Sequence, residues 1–173
     1  MKERKGAVTF KGEPLTLVGE EVHTGGRAPD FEVIDTDLKP VHFSDFDGKV
    51  RIISSVASLD TPVCDQQTRR FNDELTALGS DVEVLTISMD LPFAQKRWCG
   101  AAGVERVKTF SDHRDASFGK AFGLLIKELR LLARAVYVVD RDGTVRYAQL
   151  VQEVTQEPDY DAALGAAKQC VGA

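Results

Sequence analysis

Apolar and polar positions alternate along this chain in a way that predicts strands and helices in turn. Residues 8–18, VTFKGEPLTLV, predict two short strands turning near Gly12 and Pro14, and Gly25-Gly26 marks the loop that follows. Phe31–Ile34 and Val41–Phe43 are short strand candidates around a polar turn, closed off by the Asp47-Gly48 break. In Lys49–Val56 the residues Val50, Ile52, Ile53 and Val56 make both faces apolar, as in a strand inside a covered sheet. From Pro62 the positions Phe71, Leu75 and Leu78 recur at helical spacing until Gly79. Val82–Met89 repeats the buried-strand pattern, and Pro92 opens a helix of about ten residues ending near Gly100–Gly103. Val107–Phe110 reads as a strand, Ala116–Phe122 as a short helix and Gly123–Leu132 as a linking segment. Ala135–Val139 and Val145–Val151 flank the hairpin signal Asp142-Gly143, and a last helix runs from about Pro158 to Lys168.

This order predicts an α/β domain, a mixed sheet covered by helices, whose βα unit crosses over right-handedly. It resembles a thioredoxin-like fold with added N-terminal strands. A single domain is expected over residues 1–173, with 1–26 as an N-terminal hairpin extension. With 43% hydrophobic and 28% charged residues, the composition is that of a soluble globular chain. The net charge of −5 argues against general attraction to nucleic acid or anionic membrane. MKERKGAVTF lacks an apolar core and no run approaches eighteen apolar residues, so a cytoplasmic location is the expectation. Three scattered cysteines without a C-x-x-C make any disulfide catalytic rather than structural.

The candidate chemistry lies in residues 54–74, SSVASLDTPVCDQQTRRFNDE. Thr61 suits an N-cap and Pro62 the first helical position, which places Cys64 third in the helix. There a sulfur meets unsatisfied backbone N–H groups and the positive end of the helix dipole, which favour a thiolate. A helix end contributes about 0.3–2 kcal/mol, short of the roughly 3.4 kcal/mol needed to move a thiol's titration from about 8.5 to about 6. Another positive group must help. The bland alternative makes Cys64 a small apolar residue at a helix start. His23, His42 and His113 are too scattered to suggest metal ligation, and Arg69, Arg70, Asp73 and Glu74 read as a solvated helix face.

The run Ser58-Leu59-Asp60-Thr61-Pro62-Val63-Cys64 resembles the peroxidatic segment of peroxiredoxins, specifically of the thiol peroxidase subfamily. Arg27-Ala28-Pro29-Asp30-Phe31, Ala133-Arg134-Ala135-Val136, Gln149-Leu150-Val151 and Glu157-Pro158-Asp159-Tyr160 resemble the same subfamily, so the likeness spans nearly the whole chain. It implies a peroxidase acting on hydrogen peroxide and alkyl hydroperoxides, with Cys64 as nucleophile. Thr61 would accept the capping hydrogen bond while its hydroxyl donates to the peroxide. Arg134 would stabilise the thiolate and bind the peroxide, with Arg130 as a nearby competitor. Cys99, 35 residues on, would be the resolving thiol that forms an intrachain disulfide with the Cys64 sulfenic acid. Cysteines on separate helices seldom start within bonding distance, so local unwinding around both is expected. The packing alternative for Cys99 is a thiol beside Trp98.

The likeness further implies recycling by thioredoxin or a similar dithiol protein, a homodimer, and no metal, flavin or haem. Cys170 matches nothing in the pattern and reads as a bystander. Two positions depart from it: Ala57 stands where the family carries a proline that shields the pocket, and Pro62 where many relatives carry glycine. Ala57 therefore predicts a more open pocket. A peroxide-responsive redox sensor or binding module with little turnover and a general dithiol-disulfide oxidoreductase are the rival readings. Sustained turnover with a reductant excludes the first, and disulfide reduction without peroxide consumption would favour the second.

Overall fold

The computed structural model describes residues 1–104 and 106–172, Thr76 through its backbone only. The strands are β1 (Glu3–Phe10), β2 (Glu13–Val18), β3 (Glu32–Ile34), β4 (Pro40–His42), β5 (Val50–Ser55), β6 (Val82–Ser88), β7 (Lys108–Ser111), β8 (Leu125–Ile126), β9 (Leu131–Leu132), β10 (Ala135–Val139) and β11 (Val145–Leu150). The helices are α1 (Pro62–Leu78), α2 (Pro92–Ala102), α3 (Ser117–Phe122) and α4 (Tyr160–Gly172), and a 3₁₀ turn covers Phe43–Phe46.

Seven strands form the central sheet in the order β11-β10-β5-β6-β7-β3-β4. β5, β6 and β7 are parallel neighbours, while β10 runs antiparallel to β5 and to β11. The period of two explains how the sheet holds two cores. Val136 and Val138 of β10, with Val50, Ile52 and Val84, meet Phe71 and Leu75 of α1 and Ala163, Leu164 and Ala167 of α4. Ala135, Tyr137 and Val139, with Ile53, Leu85 and Ile87, face the opposite core, which contains Cys64 and the aromatic residues Phe31, Phe118 and Phe122. Phe31 lies 4.9 Å from Phe118 and 5.6 Å from Phe122, ring centre to ring centre, edge to face.

The boundaries of α1 and α2 follow the expected signals, whereas α4 runs on to Gly172, past the expected end at Lys168. α1 begins at Pro62 after the extended Thr61 and ends at Gly79, and α2 ends at Gly103 in the left-handed region, the usual stop for a helix. Three further expectations are corrected. The N-terminal hairpin starts at Glu3 and turns at Lys11-Gly12, with Pro14 already inside β2 opposite Thr9. The charged residues at the start of β1 hid the strand, because its exposed positions carry no apolar period. The segment Val41–Phe43 splits, Val41 remaining in β4 while Phe43 opens the 3₁₀ turn. Residues 123–132, expected to be a plain link, supply β8 and β9, which join β1 and β2 in a separate four-stranded sheet, order β1-β2-β8-β9. Two-residue strands carry too few positions for a period to show. Where this sheet meets the end of α3, Gly19 and Gly123 pass so closely that a Cβ on either would collide with backbone.

Candidate active site

β5 ends at Ser55 and the chain crosses a short loop into α1, which places Cys64 in the first turn at the rim of the sheet. The loop is tied down by Asp90, just past β6. Its carboxylate accepts from the Ser58 hydroxyl at 2.7 Å, the Leu59 N–H at 2.8 Å and the Ser88 hydroxyl at 2.8 Å. Cys64 is 0% exposed, and its carbonyl accepts the Thr68 hydroxyl at 2.9 Å.

Burying a sulfur that must carry charge is costly unless a donor and a positive group meet it. Arg134 does both: its Nη2 donates to the Cys64 sulfur at 3.1 Å, the one hydrogen bond to that sulfur among the described residues. Arg130 is exposed on the β8–β9 connection and takes no part. Arg134 lies between β9 and β10, 2% exposed, and its carbonyl accepts the Val151 N–H at 2.9 Å. Two more of its donors are committed, Nε to the Val154 carbonyl at 3.0 Å and one on Nη1 to Gln67 Oε1 at 2.8 Å. Gln67 in turn donates from Nε2 to Ser54 Oγ at 2.7 Å, joining β5 to the guanidinium. The planar fork is thereby fixed with one edge on the sulfur. Gln67 escaped the sequence reading, although it lies three residues beyond Cys64 and therefore on the same side of α1.

Thr61 differs from expectation. It occupies the N-cap position, but its side chain makes no capping bond. The hydroxyl instead donates to the Ser58 carbonyl at 2.8 Å, because the turn that brings the Thr61 N–H to that carbonyl at 3.2 Å also sets it beside the side chain. The hydroxyl proton is committed, and the oxygen's lone pairs remain free to accept.

All three cysteines are free thiols. Cys99 lies in the last full turn of α2, half-buried, with its sulfur 3.6 Å from the Thr109 hydroxyl. It opens on a cavity of about 400 Å³ that is also lined by Phe46, Lys96 and Lys108, and Cys64 does not reach that cavity. The structure therefore does not bring Cys64 and Cys99 into one site. Their neighbours in sequence do meet. Asp65 accepts the Trp98 indole N–H at 2.9 Å and the Arg69 Nε at 3.0 Å, and the Arg69 guanidinium lies 5.6 Å from the centre of the Trp98 ring. Asp65 and Trp98 thus link the first turn of α1 to the end of α2. Cys170, on α4, lies far along the chain beside Asp140 and Arg146, and burial pushes its thiol pKa up.

A helix-start cysteine under a fixed guanidinium, on a sheet of this topology, defines a thiol-based redoxin. The Redoxin family model matches residues 23–164, and the chain belongs to that family. Its relatives place it among the thiol peroxidases. The "Thiol peroxidase" of Halalkalibacterium halodurans is 59% identical over 94% of this chain and 97% of its own length. That of Bacillus subtilis is 58% identical over 95% and 98%. The crystal structure of a peroxiredoxin-like protein from Aquifex aeolicus superimposes with a TM-score of 0.88 at 42% identity, covering 95% of this chain and 97% of that one.

Proposed function

We propose that the protein reduces hydrogen peroxide and alkyl hydroperoxides through Cys64, with Cys99 as resolving thiol. The observation that carries the reading is the 3.1 Å hydrogen bond from Arg134 to a fully buried sulfur at a helix start. The Cys64 thiolate attacks the terminal peroxide oxygen, the O–O bond breaks, and the leaving alkoxide or hydroxide takes up a proton, giving a sulfenic acid and an alcohol or water. Arg134 offsets the negative charge shared by sulfur and peroxide, and the Thr61 oxygen accepts the peroxide O–H. The Cys99 sulfur then displaces water from the sulfenic acid to form the disulfide, which a dithiol protein of the thioredoxin kind reduces by exchange. Such chemistry uses the chain's own thiols. Family resemblance also supports a homodimer and a cytoplasmic location. Among the described residues no helix is long and apolar enough to cross a membrane.

The test is to add one equivalent of hydrogen peroxide to the reduced protein, quench with an alkylating agent and map each cysteine by mass spectrometry. A rapid disulfide between Cys64 and Cys99 within one chain is expected. An unreacted Cys64 overturns the reading, and an oxidised Cys64 that pairs with no thiol removes Cys99 from it.

Because the two thiols occupy separate sites, the disulfide requires the first turn of α1 and the end of α2 to loosen. The Asp65–Trp98 bond opposes this. Trp98→Phe keeps a ring over Arg69 but removes the N–H, and a hydrogen bond to a charged group contributes about 1.5 kcal/mol, a factor of roughly ten in the opening equilibrium. Disulfide formation after a peroxide pulse should accelerate by about that factor, as followed by rapid-quench alkylation. An unchanged or slower rate would show that this bond does not limit the opening.

A further inference from the structure

The loop that leads to Cys64 and the helix that carries Cys99 converge on one side chain. Asp90 lies between β6, which ends at Ser88, and α2, which begins at Pro92. Its carboxylate holds Ser58, Leu59 and Ser88, and its carbonyl accepts the Ser111 hydroxyl of β7, which anchors the residue to the sheet. Ser88 Oγ donates to that carboxylate and accepts from Gln95 Nε2 at 3.0 Å. Gln95 lies in α2 one turn before Cys99 and also donates to the Phe110 carbonyl at 2.7 Å. Ser88 and Gln95 are each 1% exposed, so the bond between them is shielded from water and strengthened by the low local dielectric. A line of hydrogen bonds thus runs from Ser58 through Asp90 and Ser88 to Gln95, from the catalytic loop to the helix of the second thiol.

What Asp90 holds on the loop side reaches the reaction. The Ser58 carbonyl accepts both the Thr61 hydroxyl at 2.8 Å and the Thr61 N–H at 3.2 Å, so fixing Ser58 and Leu59 fixes the oxygen that meets the peroxide. The Asp60 N–H donates to Ser58 Oγ at 3.2 Å, which draws the rest of the loop onto the same point. What Asp90 holds on the other side opposes the next step. Cys99 meets Cys64 only after the loop with the first turn of α1 and the end of α2 have loosened. The loop is tied to the sheet through Asp90 directly. α2 is tied through Ser88, whose proton goes to Asp90 and whose lone pair is thereby left facing Gln95.

We infer that Asp90 is a positioning residue with opposite effects on the two half-reactions. It sets the Thr61 oxygen and the start of α1 in the arrangement that reacts with peroxide. The same bonds retard the disulfide, because they pin the loop and, through Ser88, α2 to the sheet. The inference rests on the peroxidase reading above and adds to it a residue that acts through the loop and through α2.

The experiment resolves the half-reactions in single turnover for the unmodified protein, Asp90→Ala, Asp90→Asn and Ser88→Ala. Stopped flow reads the oxidation of Cys64 by hydrogen peroxide, and rapid-quench alkylation reads the Cys64–Cys99 disulfide. A hydrogen bond to a charged group is worth a factor of about ten or more in an opening equilibrium, so Asp90→Ala should form the disulfide about tenfold faster. It should also oxidise about threefold more slowly or worse, because the Thr61 oxygen is no longer set. Asparagine keeps one acceptor oxygen, and Asp90→Asn should restore both constants part of the way. Ser88→Ala releases α2 alone, so disulfide formation should accelerate by about fivefold while oxidation stays within about twofold. A residue that merely supported the fold would lower the melting temperature without moving the two constants in opposite directions. Unchanged oxidation in Asp90→Ala, or disulfide formation less than about twofold faster in Asp90→Ala or in Ser88→Ala, overturns the inference and leaves the peroxidase reading in place. Ser88→Ala is a small change and decides the matter where Asp90→Ala fails to fold. Absence of a Cys64–Cys99 disulfide in the unmodified protein overturns the assignment of Cys99, and the inference with it.

Discussion

Arg134→Met should slow the oxidation of Cys64 by hydrogen peroxide by about 10²–10³-fold in single-turnover stopped flow, the cost of removing one preorganised donor from developing charge. Methionine comes close to the arginine stem in length but presents neither charge nor N–H to the sulfur. The sulfur, 0% exposed, has no water to replace the lost partner. The helix start alone does not make up the difference, because its contribution is about 2 kcal/mol at most. A second effect accompanies the first. The Val154 carbonyl and the Gln67 amide oxygen lose the donors now 3.0 and 2.8 Å away, and an unsatisfied buried acceptor costs about 1–3 kcal/mol. Thermal unfolding measures that loss separately, so the rate is compared well below the melting transition. A variant that still oxidises Cys64 within threefold of the parent rate would remove Arg134 from the reaction.

Cys99→Ser should separate the two half-reactions. Peroxide still oxidises Cys64, but the sulfenic acid persists, detectable by a carbon-acid probe, and steady-state turnover with a dithiol protein reductant falls by about 10²-fold or more. The size follows from the advantage of an intramolecular thiol, whose effective concentration far exceeds that of a second protein. With no thiol to capture it, the sulfenic acid is also open to further oxidation by excess peroxide, which mass spectrometry reads as sulfinic acid. Turnover retained in Cys99→Ser would assign resolution elsewhere, and repeating the measurement with Cys170→Ser added would show whether the third thiol supplies it.

The parts of this protein that obey a short local rule were legible along the chain. The buried strands β5, β6 and β10 announced themselves by continuous apolar runs, and α1 by Thr61-Pro62 at one end and Gly79 at the other. Cys64 at a helix start followed from the same signals, and the need for a second positive group followed from the magnitudes. β8 and β9 were not legible, because two residues cannot display a period and their strand character comes from pairing with β2 and with each other. Thr61 as a cap was a sound local expectation. The Ser58 carbonyl, presented by a turn of four residues, competed for its hydroxyl and prevailed.

What the sequence by itself determined is the α/β order, the position of the nucleophile and, through the likeness of Arg134 and its neighbours to known thiol peroxidases, the pairing of an arginine with that sulfur. Only the tertiary structure decided what surrounds the pair. Gln67 and the Val154 carbonyl fix the guanidinium, the hairpin tip closes a recess against Ala57, and Asp65 meets Trp98 across two helices. The division has a physical cause. Periods, caps and breakers act over a few neighbouring residues, whereas contacts such as Thr9 with Glu153 join residues that are adjacent only once both sheets have closed.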